Sequence, residues 1–172
     1  MTVYQAIRAR RSIRKYVPGA PLPQEDLHTI LEAAMMAPSA RNGRPWEFVV
    51  VRSPAVKEQI RQAHPYCAYI TDASAAIVVC GRPSPEEQKE GERGEFWPQD
   101  CAAAIENLML QALELGYGTV WCGLYPVKDR CDAIREIIGV DSVPMAIVLV
   151  GRPDEAPGAR GYFDPTRVKE ID

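Results

Sequence analysis

Apolar positions change their spacing along the chain in a way that predicts alternating helices and strands. Leu27, Ile30, Leu31, Ala34 and Met35 recur at three- and four-residue intervals, one apolar stripe on a helix that opens near Pro23 and is stopped by Pro38. Trp46–Val51 is instead a short run of aromatic and β-branched residues, read as a strand. Ser53-Pro54 caps a third helix reaching about Ala63, and residues 75–80 read as a buried strand ended by Gly81. In residues 100–115 apolar side chains go nearly all round, which predicts a helix buried in the middle of the domain or at a subunit contact. Gly116 ends it. A strand over 119–122, a helix over Lys128–Ile138 stopped by Gly139, and a strand over 145–150 follow. At the start, Thr2-Val3-Tyr4-Gln5 has the capping-box form, so a helix begins at Thr2, runs into the stretch from Arg8 to Lys15 and ends before Pro18-Gly19.

Two stretches stand outside this pattern. Residues 82–99 form a charged insert with Phe96-Trp97-Pro98 at its end, which reads either as a lid over a site or as a solvated loop. The tail, 151–172, is rich in Gly, Pro and charge and reads as an arm laid over another surface. No repeat and no domain boundary is visible, so residues 1–172 are expected to form one domain of α/β or α+β class.

Composition narrows the chemistry. The net charge of -3 argues against a general nucleic-acid binder. No apolar run is long enough to span a membrane, and the N-terminus lacks a signal-peptide core, so a cytoplasmic protein is expected. The 5 cysteines include no Cys-x-x-Cys pair, and the 2 histidines are too few for a metal cluster; no metal is expected and the thiols read as packing residues. Gly116-Tyr117-Gly118 follows a helix and has Trp121 where a dinucleotide loop needs its third glycine, so it reads as a helix stop. There is no P-loop and no nucleophile elbow.

Two clusters remain as candidates. Arg8, Arg10, Arg11, Arg14 and Lys15 lie within eight residues with Ser12 among them, a set whose forks and hydroxyl match a phosphate monoester in charge and geometry. A solvated basic helix face is the alternative. The stretch from Pro38 to Trp46, with Ser39 and Asn42, falls between a helix and a strand, where a fold presents hydrogen-bonding groups to a ligand or simply turns.

The two clusters together resemble the flavin-dependent nitroreductase family. The matching pieces are Arg10-Arg11-Ser12-Ile13-Arg14, Ala37-Pro38-Ser39-Ala40-Arg41-Asn42 with Pro45-Trp46, Asp100-Cys101-Ala102-Ala103-Ala104-Ile105-Glu106-Asn107-Leu108, Leu115-Gly116-Tyr117-Gly118-Thr119 and Gly151-Arg152-Pro153, in the family's order over most of the chain.

The resemblance implies an α+β fold of three layers with a mixed central sheet, a homodimer, and FMN held at the subunit interface. It implies that Arg10, Arg11 and Ser12 grip the FMN phosphate and ribityl chain, with Arg14 near the N1 and C2 carbonyl edge of the ring. Pro38, Ser39, Ala40 and Asn42 of the other protomer would contact the ring, and the Cys122-Gly123-Leu124 stretch would run beside it, a backbone N–H near Gly123 or Leu124 reaching N5. Arg160 matches one of two C-terminal basic residues of the family's phosphate site; Tyr162 stands in the place of the second, leaving Arg167 to compensate. Arg41, Phe96, Trp97 and Tyr125 are candidates to line the substrate pocket. The implied activity is transfer of hydride from NAD(P)H through the flavin to a small oxidised acceptor, a nitroaromatic or a quinone, with no protein nucleophile or general base. Other flavin chemistry such as reductive dehalogenation, and non-enzymatic anion or flavin binding, are the rivals.

Overall fold

The structure, a computed structural model, describes residues 1–83, 96–158 and 160–171. Helix α1 spans Val3–Ala9 and is capped as the sequence predicts: the Thr2 hydroxyl accepts from the Gln5 N–H at 3.2 Å, and the Gln5 side chain accepts from the Thr2 N–H at 2.9 Å. It stops earlier than its pattern suggested. From Arg10 the chain is extended, because tertiary pairing replaces the next helical turns: the Ile13 N–H donates to the Thr119 carbonyl at 2.8 Å and the Val17 N–H to the Arg152 carbonyl at 2.9 Å. Arg10, Arg11, Arg14 and Lys15 therefore lie along an extended segment, while Arg8 stays on the last turn of α1 against Tyr4.

Helix α2 covers Gln24–Met35, β1 Trp46–Val51, α3 Pro54–Ala63, β2 Ala75–Gly81, α4 Trp97–Glu114, β3 Gly118–Gly123, α5 Lys128–Ile138 and β4 Val143–Gly151. The four strands form one sheet in the order β1-β2-β4-β3, with all three ladders antiparallel. The expected mixed sheet is thus corrected: the parallel component among the described residues is one bridge between Ser12 and Thr119, outside the strands. Alternation along β2 explains the three layers. Ile77 and Val79 face α2 and α4, packing with Ile30 and Leu108; Val78 and Cys80 face the α3 and α5 side, packing with Ile60 and Ile134. With both faces covered, β2 and β4 read as continuous apolar runs.

Helix α4 is the buried central helix that its sequence predicts, Ala104, Leu108 and Ala112 being wholly inaccessible. It opens three residues before the predicted Asp100, because Pro98 suits a first turn and Trp97 is drawn into the core. The lid reading of 82–99 falls largely on residues 84–95, outside the described residues. Beyond Gly151 the tail carries one short turn, Pro165–Arg167, and leaves Tyr162, Phe163 and Ile171 exposed.

Candidate active site

Strand β3 is an edge strand, and its hydrogen-bond parity defines the site. Gly123 is in register with Ala146, and the Leu124 N–H donates to the Met145 carbonyl at 3.1 Å. Positions 118, 120, 122 and 124 therefore face β4, while the N–H and C=O of Thr119, Trp121 and Gly123 point to the open edge. Thr119 uses its outward carbonyl to hold Ile13. Gly123 is exposed, its φ is not positive, and a Cβ there would meet nothing nearer than Trp121 Nε1 at 3.9 Å. Neither backbone conformation nor internal packing demands glycine. Its effect is to leave room for close approach to the edge.

The arginine segment runs parallel to this edge through the Ser12–Thr119 bridge. In an extended chain Arg10 and Arg14 are about 13 Å apart. Arg10 Nε donates to Glu106 Oε1 at 3.1 Å, a half-exposed pair on the flank of α4. The Arg14 guanidinium stands near Tyr69 and Cys122 and acts electrostatically on both, beside Gly123. The Cys122 thiol is held below the usual thiol range, first by its hydrogen bond with Cys67, then by Tyr69 and Arg14, against its burial. Cationic charge thus stands at both ends of a track beside the open edge.

Arg11 takes a different part from the one the resemblance implied. Its side chain donates to the carbonyls of Gly158 at 3.0 Å, of Arg160 at 3.3 Å, and of Arg10. These bonds tie the arm to the segment and bring Arg160 to it. Glu155 adds to the tie, accepting from the Arg14 N–H at 2.5 Å and the Lys15 N–H at 3.2 Å. A cavity of about 250 Å³ lies between segment, arm and sheet, lined in part by Arg10, Arg11, Thr119 and Pro157. Arg167 is not brought there by any contact among the described residues; it pairs with Asp164 at 3.2 Å inside the terminal turn.

The Pro38–Asn42 cluster lies elsewhere in the same chain. The tight turn Ala40–Asn42 is anchored by its Ala40 N–H, which donates to Asp100 Oδ1 at 3.0 Å, and by the Ser39 hydroxyl, which accepts from the Arg44 N–H at 3.0 Å. Asp100 and Glu106 are six residues apart on α4, so the loop's anchor and the Arg10 contact are separated by about 9 Å along the helix. Arg41, Asn42 and Arg44 all have positive φ, 53°, 56° and 47°. Three such residues within four positions, interrupted only by Gly43 at φ -71°, store strain, which is concentrated at functional sites.

The aromatic pocket candidates divide. Phe96 is 42% exposed, but Trp97 is 2% exposed and belongs to the core. Its ring covers Gly81 and meets the Tyr125 ring edge-on, with centroids 4.8 Å apart. Trp97 is therefore corrected from a pocket residue to a packing residue that backs Tyr125. Arg41 is exposed on the strained turn.

Sequence reasoning passed over His64, which is 1% exposed at the end of α3. Its Nδ1 accepts from the Tyr66 N–H at 3.2 Å, which leaves the ring proton on Nε2, and Nε2 donates to the Gly123 carbonyl at 3.1 Å. A lone histidine after an amphipathic helix carries no signal for this. Asp100 and Glu106 were visible as rare acids in an apolar helix and could have been singled out. Burial, with the Arg130 charge adding to it, keeps the His64 pKa below the usual 6.5, so the folded chain refuses a proton that the unfolded chain takes. The His64 contribution is complete above the unfolded value and is lost as pH falls from about 6.5 toward the folded value. In urea denaturation series across pH, the wild type is expected to lose stability there relative to His64→Gln, with an excess slope of at most about 1.4 kcal/mol per pH unit. Parallel curves would show that the imidazole does not stay neutral in the fold.

Comparison with known proteins follows this geometry closely. A protein of Methanothermobacter thermautotrophicus, provisionally named NADH dehydrogenase/NAD(P)H nitroreductase, is 44% identical over 170 residues, 98% of this chain and 86% of that one. Among solved structures, an FMN-dependent nitroreductase from Clostridium difficile R20291 superposes with a TM-score of 0.85 at 28% identity, over 99% of each chain. A provisionally named nitroreductase from Desulfovibrio desulfuricans, solved in complex with FMN, gives 0.84 at 26% identity over 100% of this chain and 98% of that one. The sequence profile of the nitroreductase family matches residues 7–65 and 63–152, which include the arginine segment, the strained turn, α4 and all of β3. Fold, segment and edge strand thus agree, and the chain belongs to the nitroreductase family.

Proposed function

We propose that this chain is an FMN-dependent oxidoreductase that consumes NAD(P)H and passes the electrons to a small oxidised acceptor of nitroaromatic or quinone type. The observation that carries the reading is the open edge of β3: an outward Gly123 N–H with room before it, and Arg14 beside the preceding residue. This donor set fits a flavin ring, whose N5 accepts a hydrogen bond and whose reduced form is anionic at the N1 and C2 edge. When bound, FMN supplies the hydride chemistry by taking hydride from the nicotinamide and yielding it to the acceptor.

The chain's residues position and polarise. Arg10, Ser12 and Arg160 hold the phosphate and ribityl end, Arg11 holding the arm that carries Arg160. Arg14 places a fixed cation at the ring edge. The Gly123 N–H would serve N5, since the Leu124 N–H already donates to Met145. Pro38, Ser39, Ala40 and Asn42 would meet the ring from the other protomer, as the family resemblance implies; in their own chain the loop is anchored at the start of α4. The dimer reading is supported by an exposed apolar face of Met1, Val3, Tyr4, Ile7, Met35 and Met36, and by the exposed aromatic arm. The acceptor enters beside Phe96 and Tyr125.

The test is spectroscopic. Purified protein supplied with FMN is expected to show bound-flavin absorption that bleaches when NADH or NADPH is added without oxygen and returns on adding a quinone. It is expected to sediment as a dimer. A protein that takes up no flavin overturns the reading, and flavin-loaded active monomers overturn the shared site.

A further inference from the structure

Gly123 is flexible by composition and yet fixed in place. Glycine has the widest choice of φ and ψ, and this one ends an edge strand with no neighbouring strand beyond it. Its outward carbonyl is nevertheless held. His64 Nε2 donates to it at 3.1 Å, while Nδ1 of the same ring accepts from the Tyr66 N–H at 3.2 Å. A backbone N–H only donates, so Nδ1 is unprotonated and the proton sits on Nε2. His64 is itself secured, its N–H donating to the Ile60 carbonyl at 2.9 Å and its side chain 1% exposed. The backbone around α3 thus selects both the tautomer and the aim of the imidazole.

From this clamp we infer that His64 is a positioning residue that holds the Gly123 carbonyl so that the edge of β3 presents the Gly123 N–H, a hydrogen-bond donor, to the flavin. The inference rests on the FMN reading above. In a strand, the N–H and C=O of one residue point the same way, so holding the carbonyl also fixes the direction of the amide. With His64 in place the carbonyl is held toward the imidazole, and what the edge offers to N5 is the N–H. A donor at N5 favours the oxidised ring, whose N5 carries only a lone pair. Freed, the carbonyl can turn and accept from the N5 hydrogen of the reduced ring. Loss of the clamp is therefore expected to move the flavin potential in the positive direction. His64 acts through Gly123 and touches neither substrate nor cofactor.

The experiment uses three FMN-loaded proteins, wild type, His64→Leu and His64→Gln, read by amide exchange at Gly123 and by redox titration of the flavin. ¹⁵N spectra of the wild-type ring add the tautomer. The wild type is expected to show the Nε2–H tautomer and a Gly123 amide whose exchange slows when FMN binds. His64→Leu is expected to exchange Gly123 at least 10-fold faster than the wild type and to titrate at a more positive potential, with FMN affinity within about 3-fold. His64→Gln, whose side-chain amide restores a donor near Nε2, is expected to recover most of both. A Gly123 amide that responds to FMN equally in the wild type and in His64→Leu, with equal potentials, overturns the inference alone. An amide unmoved by FMN in the wild type overturns the contact between Gly123 and N5, and the inference with it, whereas a protein that takes up no flavin overturns the FMN reading itself. Should His64→Leu fail to fold, an Nδ1–H tautomer in the wild type, or a His64→Gln protein with the potential shifted and Gly123 unprotected, overturns it as well.

Discussion

Replacing Trp97 with alanine is expected to lower the unfolding free energy by about 3–5 kcal/mol, the usual cost of emptying a buried indole site. For a chain of this length that is a fall in Tm of about 6–20 °C. The ring is 2% exposed, covers Gly81 and meets Tyr125 edge-on. Its Nε1 has no hydrogen-bond partner among the described residues, so its worth lies in packing. The fit to Gly81 gives a sharper test than the single substitution. A Cβ at residue 81 would stand 2.1 Å from Trp97 Cε3, so Gly81→Ala in the wild type is expected to cost at least about 1–3 kcal/mol through overpacking. In the Trp97→Ala background the obstacle is gone, and the same methyl group fills part of the void. Urea denaturation of the four proteins measures the coupling. Equal costs of Gly81→Ala in both backgrounds would refute the packing role and return Trp97 to the pocket.

The mistaken reading of Trp97 shows which features a sequence exposes. The four strands and the main helices were legible because each side chain's environment follows from local spacing: β2 and β4 as unbroken apolar runs, α4 as a helix apolar on every side. The lost turns of α1 were not. Ile13 and Tyr16 are spaced three apart, as on a helix, and only β3 and Arg152, more than a hundred residues away, draw that backbone into extended pairing. At the site, the arginines and the Ser39–Asn42 turn were legible as charge and as turn chemistry. Their roles were not equally so. Whether an arginine faces a ligand or a carbonyl is decided by distant chain: Arg11 serves the arm, and Arg167 its own turn. His64 was illegible for a related reason. Its partner is a main-chain oxygen 59 residues away, and backbone acceptors leave no residue-type signature.

Arg10→Ala is expected to weaken FMN binding by about 10- to 150-fold, the equivalent of about 1.5–3 kcal/mol for a charged hydrogen bond. In the free chain Arg10 is paired with Glu106 at 3.1 Å, the two side chains being 28% and 46% exposed. Exposed pairs of this kind contribute about 0–1 kcal/mol, so a phosphate with nearly two negative charges displaces the carboxylate readily. Glu106→Gln removes the competitor and is expected to leave FMN affinity unchanged or up to about 5-fold tighter. Arg10→Lys keeps the charge and loses the fork, so it falls between wild type and alanine. The control is riboflavin, which has the same ring and no phosphate. Fluorescence titration of each protein with both ligands separates the two ends of the track. If Arg10 holds the phosphate, Arg10→Ala lowers FMN affinity and leaves riboflavin affinity as it was. An equal loss for both ligands would place Arg10 at the ring, and no loss for either would leave it as the surface partner of Glu106 alone.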